Sequence, residues 1–298
     1  MIKRKKDAVL IVIVFTLELI ILINPDVLIN STKDALNLFI NKLFISLFPF
    51  FVLNKILINY NLQGYLSKLN INSFLTIIIL SMISGMPSNA EYIKDALDNK
   101  IINIEDAQKL LLISFFPSPV FVITVVGYIH FKSIKIGIIL LLLIYISNFV
   151  LGLMFKTKNN NYVLNKNNNL KFMTILKKSI HSSMGSLLII LGNIIMFSIL
   201  LGILNNYLNL SNIQNGILAS FLELSNAIKK VSCITNFNIK FSLTLFALSF
   251  SGLSVFSQAS SILSEYNINF KKIILYKLLI SIIFSFSSFV LLVLLNHL

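Results

Sequence analysis

Cysteine and tryptophan are nearly absent from this chain, and charged residues are scarce. A single cysteine, Cys233, excludes an internal disulfide and a metal site made of several cysteines. Because there is no tryptophan, any aromatic belt at a membrane surface must consist of tyrosine and phenylalanine. Only 12% of the 298 residues are charged, whereas 56% are hydrophobic. A soluble domain of this composition would expose far too much apolar surface, so the composition excludes a soluble protein.

Catalytic and nucleotide-binding patterns are also missing. The three histidines lie far apart without nearby cysteines or paired acids, which excludes a zinc site and a catalytic triad. The chain contains no glycine-rich phosphate-binding motif, so we do not expect it to be an ATP-driven pump. The sequence therefore predicts neither an enzyme nor a bound metal or cofactor.

Acidic residues are few, and the excess of lysine has a membrane explanation. Eleven acids against 25 basic residues give a formal net charge of +14. The lysine clusters lie beside apolar spans rather than on a polar face with aromatic residues, so we do not predict nucleic acid as a partner. Cytoplasmic loops of membrane proteins carry such an excess of lysine.

Long apolar runs indicate a polytopic helical membrane protein. Runs of about 20 apolar residues can cross a hydrocarbon core roughly 30 Å thick. The clearest predicted spans are 8–24, 35–60, 134–155, 184–208 and 273–296. The first span lacks a small-x-small cleavage site, and we interpret it as retained rather than as a secretory signal.

A stretch rich in lysine and asparagine divides the chain into halves. It has six lysines between residues 156 and 178 and no acid, which predicts a flexible cytoplasmic connector. The predicted organisation is an N-terminal transmembrane span at 1–30, a first transmembrane repeat at 31–156, the connector at 157–180 and a second transmembrane repeat at 181–298.

A short motif occurs once in each half. Pro87-Ser88-Asn89-Ala90 begins a charged helix, and Ser225-Asn226-Ala227 begins a second segment that also runs into lysine. About 25 residues after each motif comes another interruption, at 114–119 and at 249–254. A duplicated unit with broken helices at matching places is typical of a secondary transporter.

The first break predicts a re-entrant hairpin. Pro87 lacks a backbone N–H and restricts the preceding residue, so the helix at 72–85 must end there. The segment 89–109 carries five acids and is too polar to cross lipid. The opening spans of the two units start on opposite sides of the membrane. We therefore predict an all-α polytopic membrane protein with two inverted-topology repeats that contain broken or re-entrant helices, and with a cytoplasmic N-terminus.

The breaks also predict a binding site. A helix that starts inside the membrane has unpaired N–H groups and a partial positive charge, which suit a carboxylate or phosphate. Serine and asparagine are strong N-cap residues and can hydrogen-bond a substrate. The predicted substrate-binding residues are Ser84, Gly85, Pro87, Ser88, Asn89, Pro117, Ser118, Glu223, Ser225, Asn226, Gly252 and Ser254. The alternative is that the breaks mark only kinks.

Charged residues beside the breaks allow more than one interpretation. Glu223, in an apolar stretch, is a candidate proton relay, a partner for Lys229, or one member of a salt bridge at a helix end near the surface. The helical spacing of Glu91, Lys94, Asp95 and Asp98 favours a solvated, ion-paired face.

Six stretches of the sequence carry a family resemblance: 47–53, 84–90, 105–107, 116–119, 221–225 and 249–254. They resemble the YlbJ family of sporulation integral membrane proteins, a group that includes stage V sporulation protein V and is related to the gate or nucleoside-recognition domain. The resemblance covers about residues 35–290. It implies a transporter in the outer forespore membrane that moves dipicolinic acid, a small flat dianion, from the mother cell towards the spore.

Three functional hypotheses follow. The first is a passive or ion-coupled transporter of dipicolinate during sporulation. The second is a carrier of nucleosides or other small metabolites. The third is a non-transporting membrane scaffold that assembles spore components. The expected partners are a small anionic substrate and the lipid bilayer, and a homo-oligomer is compatible with the sequence.

Overall fold

The computed structural model describes residues 2–60, 73–153 and 171–295, and this part of the chain consists of helices and turns without a β-strand. The all-α prediction is therefore confirmed. Most of the predicted connector, residues 157–170, lies outside the described residues. The end of the predicted connector, residues 172–180, is not a flexible segment. It is helical, because a long helix begins at Phe172.

The first half contains seven α-helices and two π-helical segments within the described residues. The π-helical segments are Phe39–Phe44 and Phe121–His130. The α-helices are α1 (Ile2–Ile23), α2 (Pro25–Leu38), α3 (Ile45–Asn59), α4 (Ser73–Ser84), α5 (Ser88–Asp98), α6 (Ile104–Ile113) and α7 (Ile134–Leu153).

The second half, as far as it is described, contains six α-helices. They are α8 (Phe172–Leu208), α9 (Asn212–Leu222), α10 (Leu224–Val231), α11 (Phe237–Phe250), α12 (Gly252–Ile262) and α13 (Phe270–Leu295). Local sequence explains several boundaries. Ser211 and Gln214 form a capping box at the start of α9. Helix α8 ends where Asn209 adopts a left-handed conformation, which asparagine tolerates.

Apart from α1, which precedes the first repeat, both halves have the same order of elements among the described residues. Each begins with a long helix, continues with a pair of short helices joined by a break and a second broken pair, and ends with a long helix. In this order α4–α5 corresponds to α9–α10, and α6 with its following π-helix corresponds to α11–α12. The predicted recurrence of two breaks in each half is thus present. That the halves are inverted repeats stays a prediction.

The two opening helices lie side by side and run antiparallel. The first is the continuous helical rod from Pro25 to Leu57, formed by α2, the π-helical segment and α3. Near its start, Asn24 donates a hydrogen bond to Tyr207 at 3.0 Å. Near its end, Asn59 donates to Ser179 at 3.1 Å. The rod therefore begins beside the end of α8 and ends beside its start, as an inverted arrangement requires.

Five described helices are long and apolar enough to cross a membrane: Pro25–Leu57, Ile134–Leu151, Phe172–Leu208, Phe237–Ile262 and Phe270–Leu295. At 1.5 Å per residue α8 is about 55 Å long, so it extends well beyond a hydrocarbon core. The predicted first span at 8–24 is helical, and its described apolar stretch, Ile11–Ile23, is shorter than the five helices of this set. These helices confirm a polytopic membrane protein.

Candidate functional site

Four helix breaks, two from each half, line one partly open cavity of about 60 Å³, and most of its lining residues are buried. The first half contributes the α4–α5 break and the break after α6. The second half contributes the α9–α10 break and the α11–α12 break. The described lining residues are Leu43, Leu47, Met86, Pro87, Pro117, Ser118, Phe121, Ile190, Glu223, Leu224, Ser225, Ser251, Val255 and Gln258. The two halves thus meet at the positions where their helices are interrupted.

In the first half the two breaks are bonded to each other. The Met86 N–H donates to the Phe116 carbonyl at 2.8 Å. Gly85 has φ +71° and packs so closely on Ser118 that a Cβ added to it would lie 2.4 Å from the Ser118 Cα. The Asn89 side chain crosses the same gap and donates to the Ser114 carbonyl at 2.7 Å. Glycine is required at residue 85 both for its backbone conformation and for this close approach.

In the second half a carboxylate caps the helix after the first break. Glu223 is extended, and its side chain accepts hydrogen bonds from the N–H groups of Ser225 at 2.9 Å and Asn226 at 2.7 Å. Gly252, with φ +80°, packs against this turn, since an added Cβ would lie 3.1 Å from the Leu222 carbonyl. The positive end of α10 therefore holds a carboxyl group of the protein itself.

The predicted capping roles of the Ser-Asn-Ala motifs are wrong. Helix α5 begins at Ser88 with no side-chain cap, and the Asn89 amide bonds across the break instead. In α10, Ser225 and Asn226 donate their backbone N–H groups to Glu223 rather than acting as caps. Helix α10 begins at Leu224, so the residue that reaches its free N–H groups is the preceding glutamate.

The twelve predicted site residues separate into three groups. Pro87, Pro117, Ser118, Glu223 and Ser225 line the cavity. Gly85 and Gly252 form the close backbone contacts of the breaks. The others are buried behind the wall and are absent from the lining: Ser84, Ser88, Asn89, Asn226 and Ser254. The hydroxyl of Ser254 and the Oδ1 of Asn89 have no hydrogen-bond partner among the described residues.

Within the described residues, Glu223 forms no salt bridge, and it does not lie near the surface. It is 4% exposed, and Lys229 pairs with Asp34 at 2.6 Å instead. The expectation that Glu223 pairs with Lys229 is therefore wrong. Glu223 is the one ionisable side chain among the described residues that line the cavity. The lining thus combines one carboxyl group with neutral polar and apolar groups.

The acidic helix α5 is less solvated than its spacing predicts. Glu91 pairs with Lys55, which is buried on α3, and Lys94 pairs with Glu265 beyond α12 at 2.9 Å. Burial raises the pKa of the Asp95 carboxyl above its usual value. The charges on this helix thus connect it to neighbouring elements.

Helices α5 and α10 run from the cavity toward opposite ends of the α2–α3 rod. The rod reaches the cavity at Leu43 and Leu47. Lys229 on α10 pairs with Asp34, which lies along the rod about 13 Å before Leu43. Glu91 on α5 pairs with Lys55, which lies along the rod about 12 Å after Leu47. The two short helices therefore point away from each other on either side of the cavity.

A curated protein is similar in sequence to this chain. Sporulation integral membrane protein YlbJ of Bacillus subtilis (strain 168) is 24% identical over 310 aligned residues, which cover 86% of this chain and 75% of the relative. The chain resembles the YlbJ family over most of its length. No family model matches the chain, and no solved structure matches it. The similarity and the five apolar helices support an integral membrane protein of sporulation.

Sequence reasoning missed several polar residues of this YlbJ-like chain. Ser251 and Gln258 line the cavity, and both are buried. Lys277 and Asn148 are fully buried and hydrogen-bonded to each other at 2.5 Å. Each is a polar residue inside a long apolar stretch, a signal that marks functional residues in membrane proteins. This signal was available for Lys277, which is the one charged residue in the predicted span 273–296.

The cavity helix α10 offers a matched pair of substitutions. Asn226 exchanges two hydrogen bonds with Ser198 of α8, at 2.8 and 3.1 Å, in a buried position. We expect Asn226→Ala to lower the free energy of unfolding by about 1–3 kcal/mol, because it strands the Ser198 hydroxyl. Lys229→Ala breaks an exposed ion pair and should cost less than about 1 kcal/mol. Melting temperatures in detergent measure both, and equal shifts would contradict the assigned burial of Asn226.

Proposed function

We propose that this protein is a small-solute transporter of sporulating cells and that the central cavity is its substrate site. The observation that carries the proposal is the meeting of four helix breaks from both halves around one cavity. Irregular backbone at membrane depth is tolerated only where it is buried in protein or lines a cavity. Secondary transporters place their substrate site at the interface of two repeats, between discontinuous helices.

Dipicolinate is the first candidate substrate, and it comes from the family resemblance. The polar lining from Ser118, Ser251 and Gln258 can hydrogen-bond a small carboxylate. A dianion next to ionised Glu223 is repelled, so this substrate requires Glu223 to be protonated or displaced. Displacement frees the N–H groups of Ser225 and Asn226 for the substrate carboxylate. A cavity of about 60 Å³ must also widen, since ligand pockets measure about 300–1,000 Å³.

A neutral metabolite such as a nucleoside is the second candidate. One observation favours it: the described lining carries a carboxyl group and no basic side chain. A neutral solute rich in hydroxyl and amide groups can bond to Glu223, Gln258 and the serines without repulsion. This candidate also agrees with the relation of the family to the nucleoside-recognition domain.

The remaining parts of the proposal concern location and partners. We place the protein in the outer forespore membrane with its N-terminus in the cytoplasm, in direct contact with the lipid bilayer. It acts without a cofactor and without nucleic acid, as a carrier rather than an enzyme. A homo-oligomer is compatible with this arrangement.

The test is solute uptake by the purified protein in proteoliposomes. We expect labelled dipicolinate to accumulate above protein-free liposomes, and Ser118→Ala with Ser225→Ala to reduce this uptake at an unchanged protein level. Uptake of labelled nucleosides with no uptake of dipicolinate would select the second candidate. If neither solute enters and the double variant still supports normal spore dipicolinate in cells, the scaffold hypothesis replaces the transporter.

A further inference from the structure

A lysine is completely buried beside the cavity. Lys277 of α13 has an exposed fraction of 0%. Its Nζ donates to the Asn148 Oδ1 at 2.5 Å and to the Phe115 carbonyl at 3.2 Å, and it lies 5.6 Å from the centre of the Phe115 ring. Asn148 also donates to the Phe115 carbonyl, at 3.3 Å, which fixes the orientation of its amide. The lysine therefore occupies a defined polar site.

This lysine has no acidic partner among the described residues. None of the ion pairs found there includes Lys277. The helices packed against α13 carry few ionisable groups: Glu105, Asp106 and Lys109 on α6, Lys135 and Tyr145 on α7, and Lys240 on α11. Asp106 lies 3.9 Å from Lys109, Tyr145 donates to the Met82 carbonyl and Lys240 donates to the His130 carbonyl. None of them forms a hydrogen bond or ion pair with Lys277 in the described structure.

The contacts suit both protonation states of the amine. A neutral amine has two N–H donors, and the site supplies two oxygen acceptors, from Phe115 and Asn148. The protonated form carries a charge that the Phe115 ring partly stabilises. A buried charge without a counter-ion is costly, so a solute anion or a lost proton must compensate it. An ionisable group of this kind inside a membrane marks a functional site.

Lys277 is connected to the second break of each half. The Phe115 carbonyl belongs to the break whose Pro117 and Ser118 line the cavity. The Lys277 carbonyl accepts from the Ser281 hydroxyl, which also contacts Ser249 at 3.0 Å, two residues before the cavity residue Ser251. A change of protonation at Lys277 changes the charge of the amine and so the strength of its hydrogen bond to the Phe115 carbonyl, which belongs to the backbone of a cavity wall.

We propose that Lys277, held by Asn148 and the Phe115 carbonyl, is the proton-binding site that couples solute movement to a proton gradient. This inference rests on the proposed transport function. During a cycle the amine gains a proton from the aqueous phase on one side and loses it on the other, while the solute crosses. Lys277 acts through the break at Phe115 and is not a residue of the cavity lining.

The first test uses proteoliposomes that contain the full chain and a trapped pH-sensitive dye, with labelled dipicolinate and labelled nucleosides as probes. For the wild type we expect a pH gradient to accelerate uptake and the dye to report a matching proton flux. Lys277→Met should lose both effects while it still exchanges internal for external solute. The control Lys271→Met, at an exposed residue of the same helix, should behave as the wild type. Acceleration by the gradient that persists in Lys277→Met overturns the inference.

The second test does not depend on transport. In detergent, the side-chain nitrogen signals of ¹⁵N-lysine-labelled protein are followed from mildly acidic to mildly alkaline pH, and the Lys277 signal is identified by its loss in Lys277→Arg. We expect this signal to titrate within that range, unlike the signal of Lys271. A Lys277 signal that does not change across the range overturns the proton-site inference even if uptake is observed. If neither probe is taken up but Lys277 titrates, the proposed transport function is what fails.

Discussion

Replacing Gly85 by alanine is expected to remove transport and to lower the free energy of unfolding by about 2–5 kcal/mol. The new Cβ would lie 2.4 Å from both the backbone nitrogen and the Cα of Ser118, so backbone rather than a flexible side chain must move. Residue 85 also has φ +71°, a conformation that is strained for alanine. Both effects separate the two breaks of the first half and deform the cavity wall at Pro117 and Ser118.

Two other glycines provide the controls for this substitution. Gly185 and Gly192 lie inside α8, and a Cβ added to either meets no atom within 4 Å. Alanine there should leave transport unchanged and stabilise the helix by up to about 1 kcal/mol. Melting temperature in detergent and solute uptake are measured on all three variants. A Gly85→Ala protein with the stability and uptake of the wild type would show that the first-half breaks do not touch as described.

Replacing Glu223 by alanine is expected to lower the free energy of unfolding, whereas replacing it by glutamine is expected to strengthen the binding of an anion. Glu223→Ala leaves the buried N–H groups of Ser225 and Asn226 without an acceptor, which should cost about 1–3 kcal/mol of folding free energy. Glu223→Gln keeps an acceptor oxygen and removes the negative charge. If dipicolinate competes with this carboxylate for the start of α10, its affinity in Glu223→Gln should rise at least about tenfold, equivalent to about 1.4 kcal/mol.

Equilibrium binding of labelled dipicolinate to the purified protein measures this change. Glu265→Gln is the control, because Glu265 is exposed and pairs with Lys94 away from the cavity lining. Its affinity for dipicolinate should equal that of the wild type. Weaker binding of dipicolinate to Glu223→Gln would contradict the proposed competition, because it would mean that the Glu223 side chain assists binding of the dianion.

The broken helices were predictable because proline, glycine or serine interrupts two apolar runs at matching places in each half. Pro87 and Gly252 mark their breaks by backbone chemistry alone, without tertiary information. The N-cap of α10 was not predictable in the same way. Serine and asparagine are the usual caps, and the helix starts one residue earlier than the motif indicated, which gives Glu223 the capping position.

Contacts between distant parts of the chain depend on packing that sequence periodicity does not contain. The pairing of Glu91 with Lys55, and of Lys229 with Asp34, joins residues far apart in the chain. Spacing within α5 predicted a solvated face because it contains no information about α3. The meeting of four breaks at one cavity likewise required the relative position of two halves, which only the fold supplies.

Protection of engineered cysteines by solute tests most directly the claim that both halves build one substrate site. In a Cys233→Ser background, Ser118→Cys places a thiol on the first-half wall and Ser225→Cys places one on the second-half wall, while Ser264→Cys lies at an exposed turn. The account predicts that the transported solute slows labelling at both cavity positions and leaves Ser264→Cys unaffected. Labelling that solute does not slow at either cavity position, in protein that still transports, would contradict it.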